Sequence, residues 1–195
     1  MRQTVILPVI ISFAISALLG PVVIPFLRRL KVGQTVRGEG PQAHMKKNGT
    51  PTMGGILIMV AVVVTSLLYV RDFPKIIPIL FLTLGFGLIG FVDDYIKVVL
   101  KRSMGLRSWQ KMLGQLIVTG IFAFYVTNYT EISLAMKIPF WPNQYLDFGI
   151  FNIPVLFFIV IGTVNGTNFT DGLYGLASSV TVIVATFFTV VAIGT

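Results

Sequence analysis

Six charge-free apolar runs take up most of this chain: residues 3–27, 53–70, 76–92, 112–130, 148–170 and 172–195. A membrane-crossing helix needs about 20 predominantly apolar residues, and each run meets or approaches that length. Charged residues make up 11% of the chain, against about a quarter in a soluble domain, so the surface of a soluble protein cannot be built from it. The expected fold is an all-α integral membrane protein of about six transmembrane helices, a single polytopic domain over residues 1–195. The first run is too long for the apolar core of a cleaved leader and lacks a small-residue cleavage site, so it is read as a retained span. Pro8, Pro21 and Pro25 either kink that span or mark its ends.

The connecting segments set an orientation. Eleven basic residues fall on one side of the six spans, among them Arg28, Lys46, Lys47, Lys97, Lys101 and Arg107; four fall on the other, Arg2, Arg71, Lys75 and Lys137. Lys and Arg concentrate on the cytoplasmic side, which places the N-terminus outside. The net charge of +8 then suits cytoplasmic loops that meet anionic lipid or phosphate-bearing substrates. With no cysteine there is neither a disulfide framework nor a thiolate metal site, and the single histidine, His44, reads as a solvated loop residue. On the outer side, residues 132–147 partly alternate and contain a Trp141-Pro142-Asn143-Gln144 turn signal, which predicts a small external β-hairpin.

Three stretches on the cytoplasmic side carry chemistry. In the first loop, Pro51 biases Thr50 toward an extended shape and leaves Thr52 to cap the second helix. That helix N-terminus would favour an anion, with Lys46 and Lys47 close by; an ordinary capped helix start is the plainer alternative. The third span ends at Asp93-Asp94, followed by Lys97, Lys101, Arg102 and Arg107. Asp93 and Lys97 share a helical face four residues apart. The two neighbouring carboxylates repel one another, and one lysine is not expected to satisfy both. That cost favours a functional pair over a surface ion pair. The third stretch, residues 165–177, holds Asn165, Asn168 and Asp171 among glycines. It reads as a polar turn or as a seat for a sugar-phosphate or metal-bound diphosphate. Carboxylates in a field of lysine and arginine suit Mg²⁺-assisted phosphoryl transfer, with a lipid as one substrate.

The segments Glu39 to Gly55, Gly90-Phe-Val-Asp-Asp-Tyr-Ile-Lys97 and Asn165-Gly-Thr-Asn-Phe-Thr-Asp-Gly-Leu173 resemble, in order and along essentially the whole chain, the phospho-N-acetylmuramoyl-pentapeptide-transferase (MraY) family. That family belongs to the polyprenyl-phosphate N-acetylhexosamine-1-phosphate transferases. The resemblance implies transfer of phospho-MurNAc-pentapeptide from UDP to undecaprenyl phosphate in peptidoglycan synthesis, giving lipid I and UMP, with Mg²⁺ as cofactor. It makes Asp93 and Asp94 catalytic, with Asp93 the base for the lipid phosphate or a nucleophile. Lys47, Thr52, Lys97, Lys101, Asn165, Asn168 and Asp171 become substrate-binding, and Asn168 and Asp171 metal-side. The implied partners are UDP-MurNAc-pentapeptide, undecaprenyl phosphate and the lipid bilayer of a bacterial inner membrane. A homodimer is a further expectation and nucleic acid is not one.

Two departures bear on this. The family usually reads Asp-Gly-Leu-Asp-Gly where this chain has Tyr174 as its fourth residue. Family members also resemble one another in having about ten spans and in later cytoplasmic motifs, one of which supplies a metal-binding Asp. On that comparison the chain is expected to be the N-terminal portion of a ten-span protein, incomplete for catalysis by itself. The competing readings are a sister transferase that moves GlcNAc-1-phosphate to a polyprenyl phosphate, and a truncated membrane protein without turnover. A transporter is disfavoured, because its site would lie near the bilayer midplane and the acids here lie in loops or at span ends.

Overall fold

The computed structural model describes residues 2–29, 53–100, 102, 104–130, 132–138, 144–170 and 175–194. Six α-helices form among them: α1 Arg2–Arg29, α2 Gly55–Tyr69, α3 Ile76–Val98, α4 Ser108–Tyr129, α5 Asn152–Thr170 and α6 Leu176–Gly194. Four segments are long and apolar enough to cross a membrane: Val5–Arg28, Ile76–Val98, Ser108–Tyr129 and Gly149–Thr170. The other two apolar helices are shorter in that respect. α2 has 15 residues and rises only about 22 Å, less than the roughly 30 Å of a bilayer core. This is an all-α membrane protein. Its only ladder among the described residues is a two-residue hairpin, β1 Met136–Lys137 antiparallel to β2 Tyr145–Leu146, inside the stretch where a hairpin was expected; Trp141, Pro142 and Asn143 of its connection lie outside the described residues.

The chain divides into two compact units, Met1–Gly114 and Gln115–Thr195, with the boundary inside α4. In the first, α1 packs on α2 and α2 on α3. Pro8, Pro21 and Pro25 all lie inside one continuous α1, so they do not mark its ends. Gly87 of α3 lets Met59 of α2 come close: a Cβ at Gly87 would sit 2.5 Å from the Met59 Cε. Small residues serve helix contacts in this way in lipid, where burial of apolar area gives no drive to associate. Accordingly the only buried hydrophobics among the described residues are Leu27, Ala61, Ala123 and Val126. The large ones stay exposed, Phe13 at 73% and Phe158 at 81%, as a lipid-facing surface requires. Hydroxyls within the spans turn back on their own helices: Thr83 donates to the Ile79 carbonyl, Thr127 to that of Ala123 and Thr167 to that of Thr163. No hydroxyl among these three faces lipid unpaired.

In the second unit, α5 is entered through a 3₁₀ turn, Gly149–Phe151. Asp147 organises that entry. Its Oδ1 accepts the Gly149 N–H at 2.8 Å and the Asn152 Nδ2 at 2.6 Å, and Asn152 Oδ1 accepts the Phe148 N–H at 3.1 Å. The backbone N–H of Gly149 and then the Asn152 amide hold the Asp147 carboxyl below its usual pKa. A group whose folded pKa is depressed adds stability above its unfolded pKa of about 4 and loses it as pH falls through the lower folded value. Protection of the Gly149 amide, its exchange taken against the intrinsic rate at each pH, should therefore be full at neutral pH and decline in acid below about pH 4. Asp147→Asn should flatten that dependence; an unchanged acid profile in the variant would remove Asp147 from the cap.

Candidate active site

α3 carries the paired carboxylates to the edge of the apolar zone. From Ile76 to Asp93 is about 26 Å of helix, close to one bilayer core. The helix continues past the pair to Val98, which keeps Asp93 and Lys97 on one face. Lys97 Nζ lies 2.5 Å from Asp93 Oδ2 and 3.8 Å from Asp94 Oδ1. One lysine thus reaches both carboxylates, against the sequence expectation that it would not. Asp93 and Asp94 are about 100° apart around the helix, but the long, flexible lysine stem brings its ammonium between them.

The two carboxylates sit in different surroundings. Asp93 is buried, with 9% of its surface exposed. Besides Lys97, it accepts the Leu106 N–H at Oδ1, 2.8 Å away. The side chain of Asp94 is 42% exposed. The loop that meets Asp93 folds back over the end of α3: Arg102 N–H donates to the Ile96 carbonyl and Gly105 N–H to that of Arg102. Gly105 has φ +56°, and a Cβ there would overlap Asp93 Oδ1 and stand 2.7 Å from Lys97 Cε. Glycine is needed for both reasons, the left-handed backbone and the close approach.

α4 then starts at Ser108, four residues before the charge-free run that begins at 112. Gln110 Oε1 accepts the Arg107 N–H at 3.0 Å. This is the half of a capping box in which the third helical residue satisfies the cap residue's own amide. Trp109 sits in the first turn of α4 and is 60% exposed.

On the first loop, α2 begins one residue after Gly54, which holds the N-cap position without a side-chain cap bond. Thr52, expected to cap this helix, lies outside the described residues. Met53, just before it, has φ +66°, a left-handed conformation uncommon for a residue with a Cβ. Lys46, Lys47, Thr52, His44, Lys101, Asp171 and Tyr174 lie outside the described residues.

In the second unit, the expected site residue Asn165 is half-buried and its amide is engaged. Asn165 Nδ2 donates to Gln115 Oε1 at 2.8 Å and to the Ile161 carbonyl at 2.9 Å, and Gln115 Nε2 donates back to Asn165 Oδ1 at 3.3 Å. Asn168, three residues on, is exposed. Gln115, 1% exposed, is the residue that sequence reasoning missed. Its signal was an amide in the charge-free run 112–130 (Asn128 is the other), facing the need for a partner in another span. Among the described residues no group of three acidic, histidine or cysteine side chains gathers as a metal cage.

The model of glycosyl transferase family 4 matches residues 76–195, and phospho-N-acetylmuramoyl-pentapeptide-transferase signature 1 matches residues 47–59. Three curated relatives carry the name phospho-N-acetylmuramoyl-pentapeptide-transferase. That of Caldicellulosiruptor bescii is 46% identical over 188 residues, 96% of this chain and 58% of the relative. That of Acetivibrio thermocellus is 50% identical over 184 residues, 94% of this chain and 55% of the relative. That of Bacillus subtilis is 43% identical over 196 residues, 98% of this chain and 60% of the relative. The chain thus spans between 55% and 60% of the length of these relatives.

Proposed function

This chain belongs to glycosyl transferase family 4, and from that membership we propose that the protein transfers phospho-MurNAc-pentapeptide from its UDP carrier to undecaprenyl phosphate. A lipid phosphate oxygen bonds to the phosphorus that bears the sugar, the bond to UMP breaks, and lipid I and UMP result. The observation that carries the reading is the transferase signature at residues 47–59, set beside a buried Asp93 and an exposed Asp94 that share Lys97. The homologous stretch upstream of α2 separates this branch from relatives that move other sugar phosphates.

Asp93 is the candidate to take the proton of the lipid phosphate, and Asp94 completes the catalytic pair. Lys97 and Lys101 offset phosphate charge. Lys47 and Thr52 bind substrate from the first loop. Asn165, Asn168 and Asp171 serve the nucleotide side. The donors fit a divalent cation of the Mg²⁺ kind. The exposed Asn168 amide oxygen is a hard donor, and Mg²⁺ is commonly held by one or two carboxylates with substrate phosphates filling the rest. Asn168 and Asp171 would hold it, and it would supply charge neutralisation at the diphosphate. The excess of Lys and Arg on one set of loops supports an inner membrane with the N-terminus outside and these loops cytoplasmic. A homodimer is part of the same reading.

The test is UMP release by the purified protein in detergent with Mg²⁺, from UDP-MurNAc-pentapeptide, with and without undecaprenyl phosphate. Lipid-dependent release would show that this chain carries what turnover needs, against the expectation that it is incomplete by itself. Release from UDP-GlcNAc instead would move the protein to the sister transferases. No release from either by the folded chain would leave the family reading standing and mark this chain as an incomplete transferase.

A further inference from the structure

We propose that Gln115 and Asn165 form an amide clamp that sets the rotation of α5 about its own axis. Gln115 is thereby a positioning residue for Asn168. The functional half of this inference rests on the transferase reading; the geometric half does not.

α5 gives hydrophobicity little to grip. From Ile153 to Ile161 it is apolar all the way round, so turning it in lipid exposes the same kind of surface. With no hydrophobic force between helices in a bilayer, packing detail and interhelical hydrogen bonds must set the angle. The reciprocal pair with Gln115 supplies them. Each amide uses its oxygen and one N–H on the other, and Asn165 spends its second N–H on the Ile161 carbonyl of its own helix. The neighbouring Thr119 Oγ1, 0% exposed, donates to the Gln115 backbone carbonyl of its own helix at 2.7 Å and so leaves the Gln115 amide to Asn165.

A second contact fixes the same arrangement. A Cβ on Gly120 would stand 3.7 Å from the Phe157 ring. Residue 115 meets 165 and residue 120 meets 157, so α4 and α5 run antiparallel here. Phe157 and Asn165 are eight residues apart on α5, about 12 Å and close to 80° around the axis. Asn168 follows Asn165 by three residues, about 4.5 Å along and 60° around. Its direction is therefore tied to whatever holds Asn165. An unpaired amide in an apolar span is costly, so loss of Gln115 should send Asn165 to another partner and turn the helix.

The chain has no cysteine, so one introduced thiol reports alone. Asn168→Cys would be labelled with a maleimide in three settings: the parent, Gln115→Leu, and the swap Gln115→Asn with Asn165→Gln. The swap keeps a reciprocal amide pair with the same total number of methylenes. Expected is a labelling rate at least about threefold different in Gln115→Leu and near parental in the swap. In the protein with Asn168 and Asn165 intact, Gln115→Leu should lower kcat/KM for the uridine nucleotide roughly 10- to 100-fold, as small misplacements of a binding group do, chiefly through KM. Thermal melting of each variant is followed alongside. If Gln115→Leu fails to fold, the swap alone decides, since parental labelling is expected of it and a changed labelling rate would overturn the clamp. Unchanged labelling in a folded Gln115→Leu overturns it as well. Altered labelling with unchanged KM overturns the positioning role. A parent without transferase activity overturns the functional half, while the labelling still decides the geometry.

Discussion

Asp93→Asn should lower turnover by about 10²- to 10⁴-fold, the usual contribution of a positioned proton acceptor, with the fold intact. The side chain's two oxygens explain why these effects separate. Asparagine keeps an oxygen for the Leu106 N–H that now meets Oδ1 at 2.8 Å, so the loop over α3 should stay in place. What disappears is the charge, and with it both proton affinity and the nearer of the two carboxylates that Lys97 reaches. The Lys97 side chain is 41% exposed, so water can take up its ammonium and the stability change should remain within about 1 kcal/mol. Asp93→Ala should lose turnover and also release the loop, because the Leu106 N–H then has no acceptor. Lipid-dependent UMP release, followed with circular dichroism and thermal melting, separates the three proteins. Turnover near the parent's in Asp93→Asn would take the proton transfer away from Asp93 and leave it the loop-holding role alone.

What was legible in the sequence follows from which forces are local. The helices could be read because a charge-free run of about 20 residues has few alternatives in lipid. The Asp93–Lys97 pairing could be read because helical spacing of four puts both on one face. The start of α4 was placed late because Ser108 to Lys111 is polar and the apolar run begins at Met112. Gln110, at the third position of the helix, was the missed capping signal. The extent to which Lys97 also reaches Asp94 depends on a side-chain conformation that spacing does not define. Gln115 and Asn165 were each visible as a polar residue in or beside an apolar run. That they meet depends on how two helices pack, which no local pattern specifies. Gly105 was one glycine among nineteen, and only the folded loop shows that its φ and its nearness to Asp93 both exclude a side chain.

Gly105→Ala is accordingly expected to damage the site although it touches no substrate. The left-handed backbone alone costs a residue with a Cβ about 1–2 kcal/mol. The added methyl would also overlap Asp93 Oδ1 and crowd the Lys97 stem. The far end of Lys97 can swing aside, since it is partly solvated. Asp93 cannot do so without giving up the Leu106 N–H, because it is buried on a helix whose backbone is fixed by its own hydrogen bonds. Either the loop rises from the helix or the carboxylate turns away, and both separate Asp93 from its present partners. Turnover should fall at least about tenfold, with a lowered melting temperature. The diagnostic is the combination with Asp93→Asn. If Gly105 acts through Asp93, the double variant should be little worse than Asp93→Asn alone, the non-additivity expected of residues in contact. Losses that multiply in full would mean that the loop serves the reaction by some route other than the carboxylate it covers.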